Sequence, residues 1–306
     1  MTAIPAPASA DAPRHVAGLP RRAAGGRSWL ASCWALYTLT LRQHLHGKRW
    51  MVMAALFLLP AALAVLVRWA EPQVPSVGLE FLLAFLFIPQ AILPLVALVY
   101  ASGVIQDEQE EQTITYLLIR PIPKWGIYAV KLLASITTTI GLTVVFTLLT
   151  YLALYAGAAG GAADVPLRAM KAAAVHSLAV AAYCSLFGLI SLLTKRSLVA
   201  GIVYIVVVEG VLANLPFGIR LATVVYYTRL IAYRSMEFVV EGPHGSSENI
   251  AADAWQFDLR DDPDLLDHPQ LTTCVTVLLV GSLVSTTLAA WICTRREFHV
   301  KTPEKD

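Results

Sequence analysis

The sequence predicts an all-α membrane protein: six transmembrane helices, both termini cytoplasmic, an N-terminal interfacial amphipathic helix, and a large outer loop before the last span. Three observations predict it. The first is composition. The 306 residues are 57% hydrophobic and only 14% charged, where soluble domains have about 45–50% and about 25%; mean hydropathy is +0.63. A soluble globule this poor in charge would expose large apolar patches and aggregate. The second is that the apolar residues lie in six runs, each long enough for the roughly 17–25 helical residues that cross a bilayer. The third is the placement of Lys and Arg between those runs, which follows the rule that basic residues gather on the cytoplasmic side.

In chain order, residues 1–27 are mostly Ala, Pro, Gly and Arg. They hold too few large apolar groups to offset the entropy of ordering, so a disordered cytoplasmic tail is expected. Residues 28–49 begin apolar and aromatic and end basic (Arg42, His44, His46, Lys48, Arg49). Trp29, Leu36 and Leu39 fall near one helical face, interrupted by Thr40, which suits a helix lying along the headgroup layer. The six-span unit then covers 50–296, with runs at about 50–67, 77–102, 127–157, 172–193, 198–215 and 271–293, and a short tail follows at 297–306. The runs read as helices because backbone groups in lipid must be satisfied within the segment, and the alternating ten-residue pattern of an outer-membrane barrel is absent.

Sixteen of the 23 Lys and Arg residues fall on the side of the two tails and the even-numbered loops, seven on the other. The first side is therefore expected to be cytoplasmic, as in a multi-pass protein of a bacterial inner or plasma membrane. The outer loop, 214–270, is apolar and aromatic to Val240, where short helices dipping into the leaflet are expected. It is acidic later (Asp253, Asp258, Asp261, Asp262, Asp264, Asp267). Those carboxylates lack the ligand spacing of a calcium loop. The net charge of +2 supplies no field for nucleic acid. Cys33, Cys184, Cys274 and Cys293 are far apart, with no metal spacing, and read as small buried hydrophobes.

The most informative segment joins the second and third runs. Asp107, Glu108, Glu110 and Glu111 sit just beyond the second run; Leu117, Leu118 and Ile119 follow, then Arg120. Pro121 and Pro123 disfavour helix in the residues before them. On a helix Glu108, Glu111 and Thr115 share one face, and Ile114, Leu117 and Leu118 another, giving a short amphipathic helix tied at both ends to spans.

This stretch resembles the type-2 permeases of ATP-binding-cassette (ABC) transporters. The resemblance is carried by Ser102-Gly103, Asp107-Glu108-Gln109-Glu110, Thr113, Leu117-Leu118, Arg120-Pro121 and Lys131, within a general likeness from about 28 to 297. It implies that this cytoplasmic segment is a coupling helix docking on a separate ABC ATPase subunit. Asp107, Glu108, Glu110, Glu111, Thr113, Tyr116 and Arg120 would form or support the contact. It implies further a second permease subunit, identical or related, and movement of a substrate across the bilayer, with export the expected direction.

The chain carries no phosphate-cradling loop of its own. Gly47-Lys48 is followed by Arg49 rather than the Ser or Thr of a Walker A motif, so no cofactor is expected here and ATP belongs to the partner. Enzyme motifs fail as well: Glu110-Glu111 has no Arg at the spacing of a CAAX-type membrane protease, and HExxH is absent. A non-transporting scaffold or sensor of the same fold stays open. A secondary carrier fits less well, because it would want several intramembrane ionisable groups and internal repeats.

Among the acids, Glu209 is clearly inside a run. At a span's centre an acid costs roughly 2.5–3.5 kcal/mol, less near the end, so it faces protein or a water-filled cavity. It either lines a substrate path or pairs structurally with Arg220 or another arginine on that side. Glu80, at the start of the second run, is expected at the interface. His176 is expected to be a satisfied buried histidine.

Overall fold

Each apolar run is helical over nearly its whole length. In the computed structural model, which describes residues 26–110, 122–156, 164–215, 218–236, 238–241, 247–255 and 268–295, six helices have the length and apolarity to cross a membrane. They are span 1 (Lys48–Ala70), span 2 (Ser76–Val104), span 3 (Lys124–Tyr155), span 4 (Val165–Leu193), span 5 (Ser197–Asn214) and span 6 (Leu271–Arg295). The all-α membrane fold expected from the sequence is therefore observed. Both tails and residues 256–267, with Asp258, Asp261, Asp262, Asp264 and Asp267, lie outside the described residues.

Spans alternate in direction, which defines two ends of the bundle. At the near end span 1 begins, span 2 finishes and the Cys293 thiol of span 6 meets the Lys124 carbonyl at the start of span 3. At the far end Arg68, in the last turn of span 1, donates to the Leu154 carbonyl in the last turn of span 3 through Nε and Nη2, at 3.0 and 2.9 Å. One of the carbonyls that a helix C-terminus leaves without an intrahelical donor is thereby satisfied.

Spans 2 and 4 are central, with 61% of each apolar window buried, whereas span 6 buries 11%. Ile88, Ile92, Leu93, Val96 and Tyr100 of span 2 pack with Ala179, Val180, Tyr183 and Phe187 of span 4, and with Phe57 of span 1. Between Phe81 and Ile92 span 2 is π-helical and contains Pro89, whose missing N–H cannot close an α-helical bond. Span 3 turns a polar stripe inward: Ser135, Thr139, Thr143 and Thr147, four residues apart, are all fully buried. Thr139 returns its hydroxyl to the Ser135 carbonyl at 2.9 Å, and Thr147 meets His176 Nδ1 of span 4 at 3.1 Å. Small hydroxyl residues let two spans approach closely, and Thr139 and Thr147 find partners, whereas the Ser135 and Thr143 hydroxyls have no hydrogen-bond partner among the described residues.

The N-terminal helix runs Gly26–His46 and ends at Gly47. Its protein-facing side takes only part of the stripe through Trp29, Leu36 and Leu39. Leu36 and Thr40 are buried, at 3% each, while Leu39 is 50% exposed. Leu36 packs with Ile122 and Ile127 at the start of span 3, and Thr40 closes its hydroxyl on the Leu36 carbonyl. Apolar residues on both sides are reasonable where one side meets protein and the other lipid.

Between spans 5 and 6 the chain covers the far end with a helix (Val224–Ser235), a two-stranded antiparallel hairpin of β1 (Val239–Glu241) and β2 (Ser247–Asn249), and a short helix (Ile250–Ala254). Phe238 and Trp255 seat these pieces on span 2, with ring centroids 5.5 and 5.0 Å from Phe81. Glu80, in the first turns of span 2, is fully buried within the protein: Arg168 of span 4 pairs with its Oε2 at 3.0 Å and the hydroxyls of Tyr151 and Tyr155 donate to it at 2.7 and 2.5 Å. Three donors from two neighbouring spans replace the water it loses.

Candidate functional site

At the near end, the helix of span 2 continues past Val104 to Glu110, carrying Asp107, Glu108 and Glu110. Glu111, Thr113, Tyr116 and Arg120 lie outside the described residues. The chain returns at Ile122, and Pro123 leads directly into span 3.

A residue that sequence reasoning passed over braces this extension. Gln106 donates its amide to the Thr194 carbonyl at 3.0 Å and accepts from the Ser197 hydroxyl at 2.7 Å. Thr194 and Ser197 flank the tight turn between spans 4 and 5, so the base of the acidic segment is tied to the next turn at the same end. Gln106 directly precedes Asp107 in the motif stretch, and that adjacency was the available signal. Its partners, about ninety residues away, were not readable from the sequence.

The two outlying parts of the motif also meet. Gly103 of span 2 and Lys131 of span 3 line one pocket of about 360 Å³, together with Thr40, Gln43, His44, Gly47, Lys48, Arg49, Val104 and Ser135. Ser102 is buried beside Gly103.

Glu209 lies at the opposite end and is fully buried. Span 5 is π-helical from Ile205 to Val211. Residues five apart, which would stand about 140° apart on an α-helix, are brought towards one face by the widened turn. The Tyr204 hydroxyl accordingly donates to Glu209 Oε1 at 2.8 Å. The backbone N–H groups of Val224 and Val225 donate to Oε1 and Oε2, both at 3.0 Å. These are the first two residues of the far-end helix, so the carboxylate satisfies donors that a helix N-terminus leaves open, at the end its dipole makes positive.

The structural pair expected with Arg220 is not formed among the described residues. Arg220 lies over the Tyr226 ring, 5.2 Å from its centroid. Arg229 instead donates to Asn214 Oδ1 and to Gln90 Oε1, at 2.9 and 3.1 Å. Burial lowers its pKa from the usual arginine value, since desolvation disfavours the charged form. Glu209, Arg229, Asn214 and Gln90 together lock the far-end helix to spans 2 and 5.

His176 is buried as expected, with Nδ1 bonded to Thr147, but its Nε2 has no hydrogen-bond partner among the described residues. The four-residue spacing of the Ser/Thr stripe that faces it was present in the sequence and was not singled out.

Compared with known families, residues 45–211, more than half the chain, match a family described as ABC-2 family transporter protein. The match covers four of the six crossing helices whole, most of a fifth, and the acidic segment. No curated protein matches the chain. With six apolar helices and this match, the chain belongs to the ABC-2 transporter family, as an integral multi-pass membrane permease component.

Proposed function

We propose that the chain is the permease subunit of an ABC exporter of a bacterial inner or plasma membrane. In this reading it pairs with a second permease subunit and takes its energy from a separate ATPase subunit. The near end faces the cytoplasm, by the sixteen-to-seven bias of its basic residues. The segment from Asp107 to Arg120 is the coupling helix. ATP-driven closure of the ATPases would press on it, tilt spans 2 and 3, and through Gln106 carry the turn between spans 4 and 5 with them. The observation that carries this reading is the helical continuation of span 2 to Glu110, braced at its base by Gln106. A flexible loop would absorb the push instead. Carboxylates there suit a basic surface on the partner.

The test is co-purification from mild detergent with an ATPase encoded beside this chain. Glu108→Arg with Glu111→Arg should abolish recovery of the ATPase while membrane insertion is unchanged. Gln106→Ala should leave binding intact and lower the stimulation of ATP hydrolysis by substrate. Normal binding and normal ATPase stimulation in the charge-reversed protein would refute the coupling assignment.

A further inference from the structure

The turn between spans 4 and 5 presents charge that its own chain does not use. Span 4 ends at Leu193 and span 5 begins at Ser197, so Thr194, Lys195 and Arg196 alone connect them. The backbone of this turn is held on both sides. Gln106 takes the Thr194 carbonyl and the Ser197 hydroxyl, and the N–H groups of Thr194 and Ala200 close on the carbonyls of Ile190 and Arg196, both at 3.1 Å. Lys195 and Arg196 are exposed. Neither side chain has a hydrogen-bond or ion-pair partner among the described residues, whereas Arg49, Lys124 and Lys131 at the same end each interact within the chain. Two open cations thus stand on an ordered backbone, which leaves less entropy to be lost when a partner meets them.

We propose that this turn is a second docking point on the ATPase subunit, where Lys195 and Arg196 meet an acidic surface; this rests on the reading that the ATPase docks on the acidic segment. Position carries the argument. Gln106, which holds the turn, directly precedes Asp107, so the turn stands beside the base of the acidic segment. A partner covering both would carry a basic patch for one and an acidic patch for the other, and such paired patches of opposite sign fix the register of docking. Two cations at a membrane surface also attract acidic headgroups. That occupant is disfavoured here because Asp107, Glu108, Glu110 and Glu111 follow Gln106 within five positions, and a run of acids repels the same headgroups over a Debye length of about 10 Å. Docking at two points would bring spans 2 and 4 under the same moving body.

The complex of the full chain with the ATPase encoded beside it tests this, in mild detergent without added lipid. Lys195→Glu with Arg196→Glu should weaken the complex about tenfold at low salt, since two attractive contacts become repulsive. The difference from wild type should shrink at about 0.5 M salt, where exposed charges are screened. Arg42→Glu with Arg295→Glu makes the same change of charge at exposed positions of the same end and should leave binding within about twofold, as for charges outside a contact. A carbodiimide, which joins an amine to a carboxylate as an amide, should link Lys195 to an Asp or Glu of the ATPase. Lys195→Arg should lose that link and keep the affinity. Equal binding by wild type and by the Lys195→Glu, Arg196→Glu protein would overturn the proposal, as would a linked wild-type complex with no product at Lys195. A loss seen only in bilayers containing phosphatidylglycerol, and not in detergent, would mark a headgroup contact and overturn it too. A wild type that recovers no ATPase would instead refute the coupling reading on which the proposal stands.

Discussion

Glu209→Gln is the sharpest test of how the far end is held. The substitution preserves shape and removes the charge, but it also turns one acceptor into an amide donor. With the amide nitrogen at the Oε2 position, the Val225 N–H loses its acceptor. With the nitrogen at the Oε1 position, the Val224 N–H loses it, while the Tyr204 hydroxyl can rotate and accept. Either way one buried backbone donor is orphaned, at about 1–3 kcal/mol, and the favourable charge at the helix N-terminus, worth about 0.3–2 kcal/mol, is lost. The sum is about 1–5 kcal/mol. At about 2–4 °C per kcal/mol for chains of 150–250 residues, the melting temperature should fall by roughly 3–20 °C. Glu209→Ala orphans both N–H groups and leaves a void, so it should fall further. Tyr204→Phe deletes one hydrogen bond to the carboxylate and should cost about 1.5–3 kcal/mol. The assay is thermal unfolding of the purified full chain in detergent, followed by loss of the monodisperse size-exclusion peak. A Gln variant melting within about one degree of wild type, where the worked shift is several-fold larger, would refute the capping role. A Tyr204→Phe penalty equal to that of Glu209→Ala would refute the division of energy among the three donors.

Two further outcomes concern packing. Arg168→Leu should cost about 3–5 kcal/mol, because it leaves the buried Glu80 carboxylate with only the hydroxyls of Tyr151 and Tyr155. Glu80→Leu combined with Arg168→Leu should cost clearly less than the two single changes added together, and additive penalties in a thermal double-mutant cycle would exclude a direct pair. In span 5, a Cβ placed on Gly201 would collide with both methyl groups of Leu98 in span 2. Gly201→Ala should therefore cost about 1–3 kcal/mol by overpacking. Adding Leu98→Ala should recover part of that loss, and failure to recover any of it would show that the two spans do not meet there.

How much of this was legible in the sequence varies with the kind of property. Crossing a bilayer is a one-dimensional requirement on length and apolarity, so all six spans could be read as runs, and the break at Gly47 between the N-terminal helix and span 1 fell where the basic cluster stood. The acidic stretch after Ser102-Gly103 was local for the same reason. The rotation of each helix about its axis was not local. In a span that is apolar all round, hydropathy does not separate the side facing protein from the side facing lipid. In the N-terminal helix, likewise, Leu36 of the apparent stripe turns inward with Thr40 while Leu39 of the same stripe turns out. Buried acids depended on that rotation too. Glu80 is buried because Tyr151, Tyr155 and Arg168 converge on it from positions 71 to 88 residues away.

By itself the sequence determined the class of solvent and the number of crossings, because length and composition carry those. Tertiary packing alone decided that Glu209 caps a helix rather than pairing with Arg220, that Gln106 ties two turns at one end, and that Lys131 shares a pocket with Gly103. A buried polar group must find a partner wherever packing provides one, and which residues packing brings within 3 Å depends on how all the spans settle against one another.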